Sequence, residues 1–165
     1  MSAEQRYWDS DCFLGWLLEE PDKVEHCRQV LSAAEDGKIL IVTSALTIAE
    51  VLALRGHLKI PAADREKVEN FFRQEYIVVR NITRRIAENA RSYVWDFGVA
   101  PKDALHVATA IDAKISLLNT FDKKLTNKSG KIGKPPLVID LPSYKEPKLP
   151  FADLPKGGGN ANKKT

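Results

Sequence analysis

The sequence predicts an α/β domain: a three-layer sandwich with a parallel sheet of roughly five strands between helices. Three observations predict it. Short β-branched apolar runs such as KILIVT (38–43) alternate with longer stretches of helical periodicity. Those runs are apolar on both faces, as strands of a covered parallel sheet are. The longer stretches carry helix punctuation, with Ser44 before one helix and Gly37, Gly56 and Gly98 after others.

The elements follow in order. Residues 6–8, RYW, read as a short strand ending at Asp9. Ser10 is a good N-cap for a helix that Pro21 stops, with Asp11 in its first turn. Asp22 can cap a second helix, whose Val24, Cys27, Val30, Leu31 and Ala34 recur at helical spacing. Gly37 ends it and the 38–43 strand follows. Ser44 then caps ALTIAEVLALR, which runs to Gly56. Pro61 opens a fourth helix, 76–79 is a strand, and a fifth helix spans about 83–97. A helix starts near Asp103, followed by a strand at 115–118 and a lysine-rich connection at 123–134 with room for a short helix. A last strand is expected at 136–139. Beyond Leu141, proline, lysine and glycine dominate, so 1–142 is read as the domain and 143–165 as an extended, disordered basic tail.

The totals narrow the function. At 165 residues one domain is expected, large enough to fold without disulfide or metal. Cys12 and Cys27 form no CxxC and read as buried reduced thiols. The N-terminus has no apolar signal core and no run approaches the roughly 18 residues of a membrane span, so a cytoplasmic protein without membrane contact is expected. The net charge of +3 is divided unevenly: residues 123–165 hold ten lysines against three acids, a net +7 beside −4 for the remainder. A basic third next to an acidic body suits a polyanionic substrate, as it also suits a solubilising tail. HExxH, GxSxG, Walker and GxGxxG patterns are all absent.

Four acids occupy positions where chemistry is plausible. Asp9 and Asp122 follow strands, and Asp103 lies in a helix first turn, near the strand ends where open α/β sheets bind ligands. Glu50 lies inside a helix with Leu46, Ile48, Val51, Leu52 and Leu54 around it, a setting in which a carboxylate needs a partner or a cation. Each acid has an ordinary explanation, whether helix-dipole compensation, turn chemistry or a surface position. Clustered, they would repel and so would hold protons or a cation; oxygen-only donors favour Mg²⁺ or Mn²⁺ over zinc. Asp11 reads equally as support for such a site or as a helix-start acid. Asp112, half a turn from Asp103, is expected in solvent, as are His26 and His57, and His106 is expected to pack or to support the acids.

These segments, in this order, resemble PIN-domain nucleases, above all the VapC-type toxins of type II toxin–antitoxin pairs. The matching residues are Asp9-Ser10 in YWDSDCFL, Glu50 in TSALTIAEVLA, Asp103 in PKDALHVATA and Asp122 in SLLNTFDKKL. Asp11 stands where that family often has Asn or Ser, and the tail is longer than in many such toxins. The resemblance implies a Mg²⁺- or Mn²⁺-dependent endoribonuclease, a homodimer, inhibition by a cognate antitoxin, and metal ligation by Asp9, Glu50, Asp103 and Asp122. Ser10, Asp11 and Thr120 are expected to support the ligands, with Thr120 holding Asp122 or a metal-bound water. Lys102, Lys123 and Lys124 are expected near flanking phosphates. Two other readings compete. One is a non-catalytic RNA- or protein-binding module on the same fold. The other is a haloacid-dehalogenase-like phosphotransferase, since Asp9-Ser10-Asp11 matches its D-x-D pair.

Overall fold

A computed structural model describes residues 2–52 and 58–147; the expected end of the third helix, His57 and residues 148–165 lie outside them. Five parallel strands form one sheet in the order β3-β2-β1-β4-β5. They are β1 (Glu4–Trp8), β2 (Ile39–Ser44), β3 (Ile77–Arg80), β4 (Leu117–Asn119) and β5 (Val138–Asp140). From β1 the chain builds outward to β2 and β3, then returns to the other side of β1 for β4 and β5. That reversal opens a crevice between the C-terminal ends of β1 and β4, where doubly wound sheets bind ligands.

Side-chain alternation along β1 divides the core in two. Trp8 points to the layer of α1 (Ser10–Leu17), α2 (Val24–Glu35) and α4 (Arg65–Phe72), where it meets Phe13 edge-on at 5.5 Å. Tyr7 points to the opposite layer of α5 (Arg84–Phe97) and α6 (Pro101–Asp112), among Ile86, Val107 and Leu118. Val42 of β2 joins Tyr7, while Ile39 and Ile41 join Trp8. Both cysteines are buried and free in the first layer. The expected sandwich is therefore the observed one, with two short helices beside it: α3 (Ala45–Glu50) and α7 (Lys123–Thr126).

Several boundaries differ from expectation for physical reasons. Asp9, not Ser10, caps α1, its Oδ1 accepting from the Cys12 amide at 3.2 Å. Ser10 is the first helical residue and its hydroxyl is spent elsewhere. Asp22 does not cap α2; Lys23 holds that position, with its ammonium paired to Asp11 and Glu20. Pro61 leads into a 3₁₀ turn (Ala62–Asp64) before α4. Helix α6 begins two residues before Asp103, at Pro101, whose fixed φ suits the first helical position. Ser44 and Gly98 act as read, Gly98 closing α5 at φ 64°, and Thr83 proves to be the N-cap of α5.

The segment after β5 also differs from a loose tail. Arg6 donates from its guanidinium to the Ser143 carbonyl at 2.5 Å and stacks over Tyr144. Glu146 pairs with Lys38, and His26 bonds to the Pro142 carbonyl. His26 is therefore half-buried rather than a free surface residue. Asp112 is likewise not simply solvated: its carboxylate meets Arg85 at 2.5 Å and Arg80 at 3.9 Å.

A candidate acidic active site at the strand ends

Helix α3 has an inverted face, and that inversion positions the first acid. Ile48 and Leu52 are 47% and 50% exposed, whereas Glu50 is 6% exposed. Ser44 fixes the entry of α3 by accepting from the Leu46 amide at 3.1 Å. Glu50 thereby enters a closed polar network. Its Oε2 accepts from the Ser10 hydroxyl at 2.5 Å and lies 2.9 Å from Nε2 of His106. Tyr7 hydroxyl is 2.7 Å from the other ring nitrogen, Nδ1. Burial pushes the Tyr7 phenol far above its ordinary value, so it stays protonated and can donate to Nδ1. With Nδ1 as acceptor, His106 carries its proton on Nε2 and donates to Glu50. Burial alone would raise the Glu50 carboxyl, but the bonds from His106 and Ser10 hold it below the ordinary range. Its other oxygen, Oε1, lies 3.5 Å from the Lys102 ammonium.

Asp9 sits at the end of β1, 5% exposed. Its Oδ1 is used by the α1 cap, and its Oδ2 accepts from the Thr120 hydroxyl at 2.5 Å. The same Thr120 oxygen accepts from the Asp122 amide at 3.0 Å. Thr120 therefore holds Asp122, as the sequence suggested, through its backbone amide, and it also clasps the Asp9 carboxylate. Burial pushes the Asp9 carboxyl up to about 6. Asp122 caps α7 by accepting from the Lys124 amide at 2.8 Å. Asp103 is half-buried in the first turn of α6; burial raises its carboxyl, and the charge of Asp122 raises it further.

Thr120 thus ties Asp9 to the Asp122 backbone, Ser10 and His106 hold Glu50, and Asp103 feels the charges of Asp122 and Glu50. Asp11, beside them in sequence, turns to the Lys23 ammonium at 3.1 Å. Lys102 faces Glu50, while Lys123 and Lys124 open α7 just after Asp122. Sequence reasoning missed Tyr7, which looked like any strand aromatic. A signal existed in the single histidine of α6, whose burial requires partners for both ring nitrogens. Among the described residues, no three acidic, histidine or cysteine side chains converge tightly enough to cage one ion as they stand. The donor chemistry still fits a hard divalent cation: oxygen donors only, with Asp9 and Asp103 held above the usual carboxylate range by burial and neighbouring charge. The larger groove nearby, about 650 Å³, runs along Ile48, Leu52, Val68 and Phe72, and none of the four acids lines it.

Among curated proteins, none matches the sequence. Solved structures share the fold. VapC20 of Mycobacterium tuberculosis, described as a toxin that cleaves the sarcin-ricin loop, aligns with a TM-score of 0.60 at 12% identity, over 74% of this chain and 93% of that one. VapBC2 of Rickettsia felis, bound to a DNA fragment from its promoter, aligns at 0.57 and 15% identity, over 82% and 96%. A toxin–antitoxin complex from Klebsiella pneumoniae aligns at 0.53 and 20% identity, over 72% and 88%. The sequence itself matches the PIN domain family across residues 7–131. The span runs from Tyr7 in β1 past β4 and includes all four acids, and the chain belongs to the PIN domain family.

Proposed function

We propose that this protein is a divalent-metal-dependent endoribonuclease, the toxin of a toxin–antitoxin pair, hydrolysing RNA phosphodiester bonds at Asp9, Glu50, Asp103 and Asp122. The observation that carries the reading is that Asp122 and Glu50 bear on Asp103 through charge, while Thr120 ties Asp9 to the Asp122 backbone at the ends of β1 and β4. The description of VapC20 as an RNA-cleaving toxin supports the chemistry, and the two toxin–antitoxin complexes support an antitoxin partner. The same reading takes a second copy of the chain as partner and the cytoplasm as the place of action. No helix among the described residues is long and apolar enough to cross a membrane.

Mg²⁺ or Mn²⁺ held by these carboxylates, directly or through water, supplies Lewis acidity and charge neutralisation at the scissile phosphate. The chain's own residues supply the rest. Ser10 and His106 occupy Oε2 of Glu50 and leave Oε1 to the Lys102 ammonium. Thr120 fixes the Asp9 carboxylate against the turn that carries Asp122. Asp103, its carboxyl raised by burial and by Asp122, takes the proton from the attacking water. Lys102, Lys123 and Lys124 receive flanking phosphates; such contacts orient the strand without reading its sequence. The phosphotransferase reading gains nothing from the structure, because both oxygens of Asp9 already accept hydrogen bonds and Asp11 is turned to Lys23.

The test is cleavage of a mixed RNA pool by the purified chain with Mg²⁺ or Mn²⁺, with EDTA, and by Asp103→Asn prepared identically. Metal-dependent cleavage lost in the variant is expected. Equal cleavage by both proteins would overturn the assignment of the site, and binding of RNA without turnover would favour the non-catalytic module.

A further inference from the structure

Beyond the acids, two hollows adjoin where α5 ends and α6 begins. The first, about 330 Å³, opens beside Asp103. Its apolar floor includes Val94, Val99 and Leu125, and the lysines Lys124 and Lys128 stand on its wall. The second, about 360 Å³, shares Val94 with the first and extends past Pro101 to Arg91 and Trp95. Trp95 is 74% exposed, the most exposed aromatic among the described residues with large exposed side chains, and the Arg91 guanidinium lies over its ring at 5.3 Å. Gly98, at φ 64°, makes the turn between the two helices, and no atom lies within 4 Å of where a Cβ would stand, so this approach is open.

We infer that these hollows form a track for an unpaired RNA strand leaving the scissile phosphate, with one base over Val94, Val99 and Leu125 and the next stacked on Trp95. The inference rests on the nuclease reading and deepens it by assigning the flanking-nucleotide sites. Three features select the occupant. The first hollow is continuous with Asp103, so its occupant is covalently close to the reacting phosphate. Apolar floors beside lysines match a base on one side and its phosphates on the other. An exposed indole with an arginine against it is the stacking platform that single strands use, and it accepts any base because every base has a π face. A duplex cannot offer its bases to such a track without unpairing, so single-stranded RNA is the committed ligand.

Trp95 contributes little to the core, so Trp95→Ala leaves the fold intact and separates the track from stability. The experiment measures binding of a short fluorescent single-stranded RNA of random sequence, with a duplex of the same length as competitor. The proteins are Asp103→Asn, chosen because it is expected to slow cleavage of the probe, and the doubles Asp103→Asn/Trp95→Ala and Asp103→Asn/Lys124→Glu. Each double is expected to lose about tenfold or more in affinity, with single strand preferred to duplex in the parent. Unchanged binding in both doubles, equal preference for duplex, or no RNA binding by the parent would overturn the track. A Trp95→Ala protein that loses self-association while binding RNA normally would assign the indole to a second copy instead. The two readings fail separately. Wild-type cleavage with Trp95-independent binding removes the track alone, and Trp95-dependent binding without metal-dependent cleavage removes the nuclease alone.

Discussion

The candidate site has an inner and an outer half, and the same residue type behaves differently in each. Asp9 and Glu50 are buried, and each carboxylate is held by named donors: Cys12 and Thr120 for one, Ser10 and His106 for the other. Asp103 and Asp122 are half-buried, bear on one another through charge, and lie beside the lysines of α7. The inner pair is oriented by the protein before anything binds. In the outer pair the Asp122 carboxylate accepts locally, from the Lys124 amide two residues on. The contrast teaches that position in a hydrogen-bond network, more than residue type, decides how firmly a carboxylate is held.

Each half can be tested against the other. The largest effect is expected in the outer half: Asp103→Asn should lower the initial rate of RNA cleavage by about a hundredfold to ten-thousandfold. Retained activity there, with loss only in Asp9→Asn, would reverse the assignment of roles. The next effect is on stability. The folded-state pKa of Asp9 is raised from 3.8 to about 6, so its contribution is full below the lower value and is lost as pH rises through the upper one. Metal-free protein should therefore lose on the order of 3 kcal/mol from this group across that window. Asp9→Asn should flatten that slope and raise the melting temperature at neutral pH. A slope unchanged in the variant would mean that Asp9 is not strained by burial.

Smaller is the cost of breaking the inner network. His106→Ala should destabilise by about 1.5–3 kcal/mol in urea titration, because it strands the Glu50 and Tyr7 groups it bridges. His106→Gln, which can still donate toward Glu50, should recover part of that loss; no recovery would make His106 a packing residue only. The smallest effect belongs outside both halves. Arg85→Ala removes an exposed partner of Asp112 and should cost less than about 1 kcal/mol with cleavage unchanged. A large loss of activity there would extend the site beyond its present boundary.

Most of the fold was legible because its signals are local. Ser44 and Gly98 act on their own turns, and β-branched runs mark strands wherever they fall. The four acids drew notice because each sits at an element boundary or against an apolar pattern, and the structure puts Asp9 after β1, Asp122 before α7 and Asp103 in the first turn of α6. Errors arose where a side chain had two possible employers. Ser10 and Asp9 compete for one cap, and only the Glu50 carboxylate arriving from α3 decides that Ser10 leaves it. Asp112 looks solvated until Arg80 and Arg85, far from it in sequence, reach it.

By itself the chain determined its alternation of strands and helices, the places where helices start and stop, and the identities of the acids. Those depend on the backbone preferences and periodicity of neighbouring residues. Tertiary structure alone decided the strand order, and with it the crevice between β1 and β4. It also decided that Tyr7 and Glu50 would meet the two ring nitrogens of His106 and that one Thr120 oxygen would join Asp9 to Asp122. Such bonds join residues as far apart as 111 positions, and no local pattern encodes which of several buried donors a carboxylate will meet.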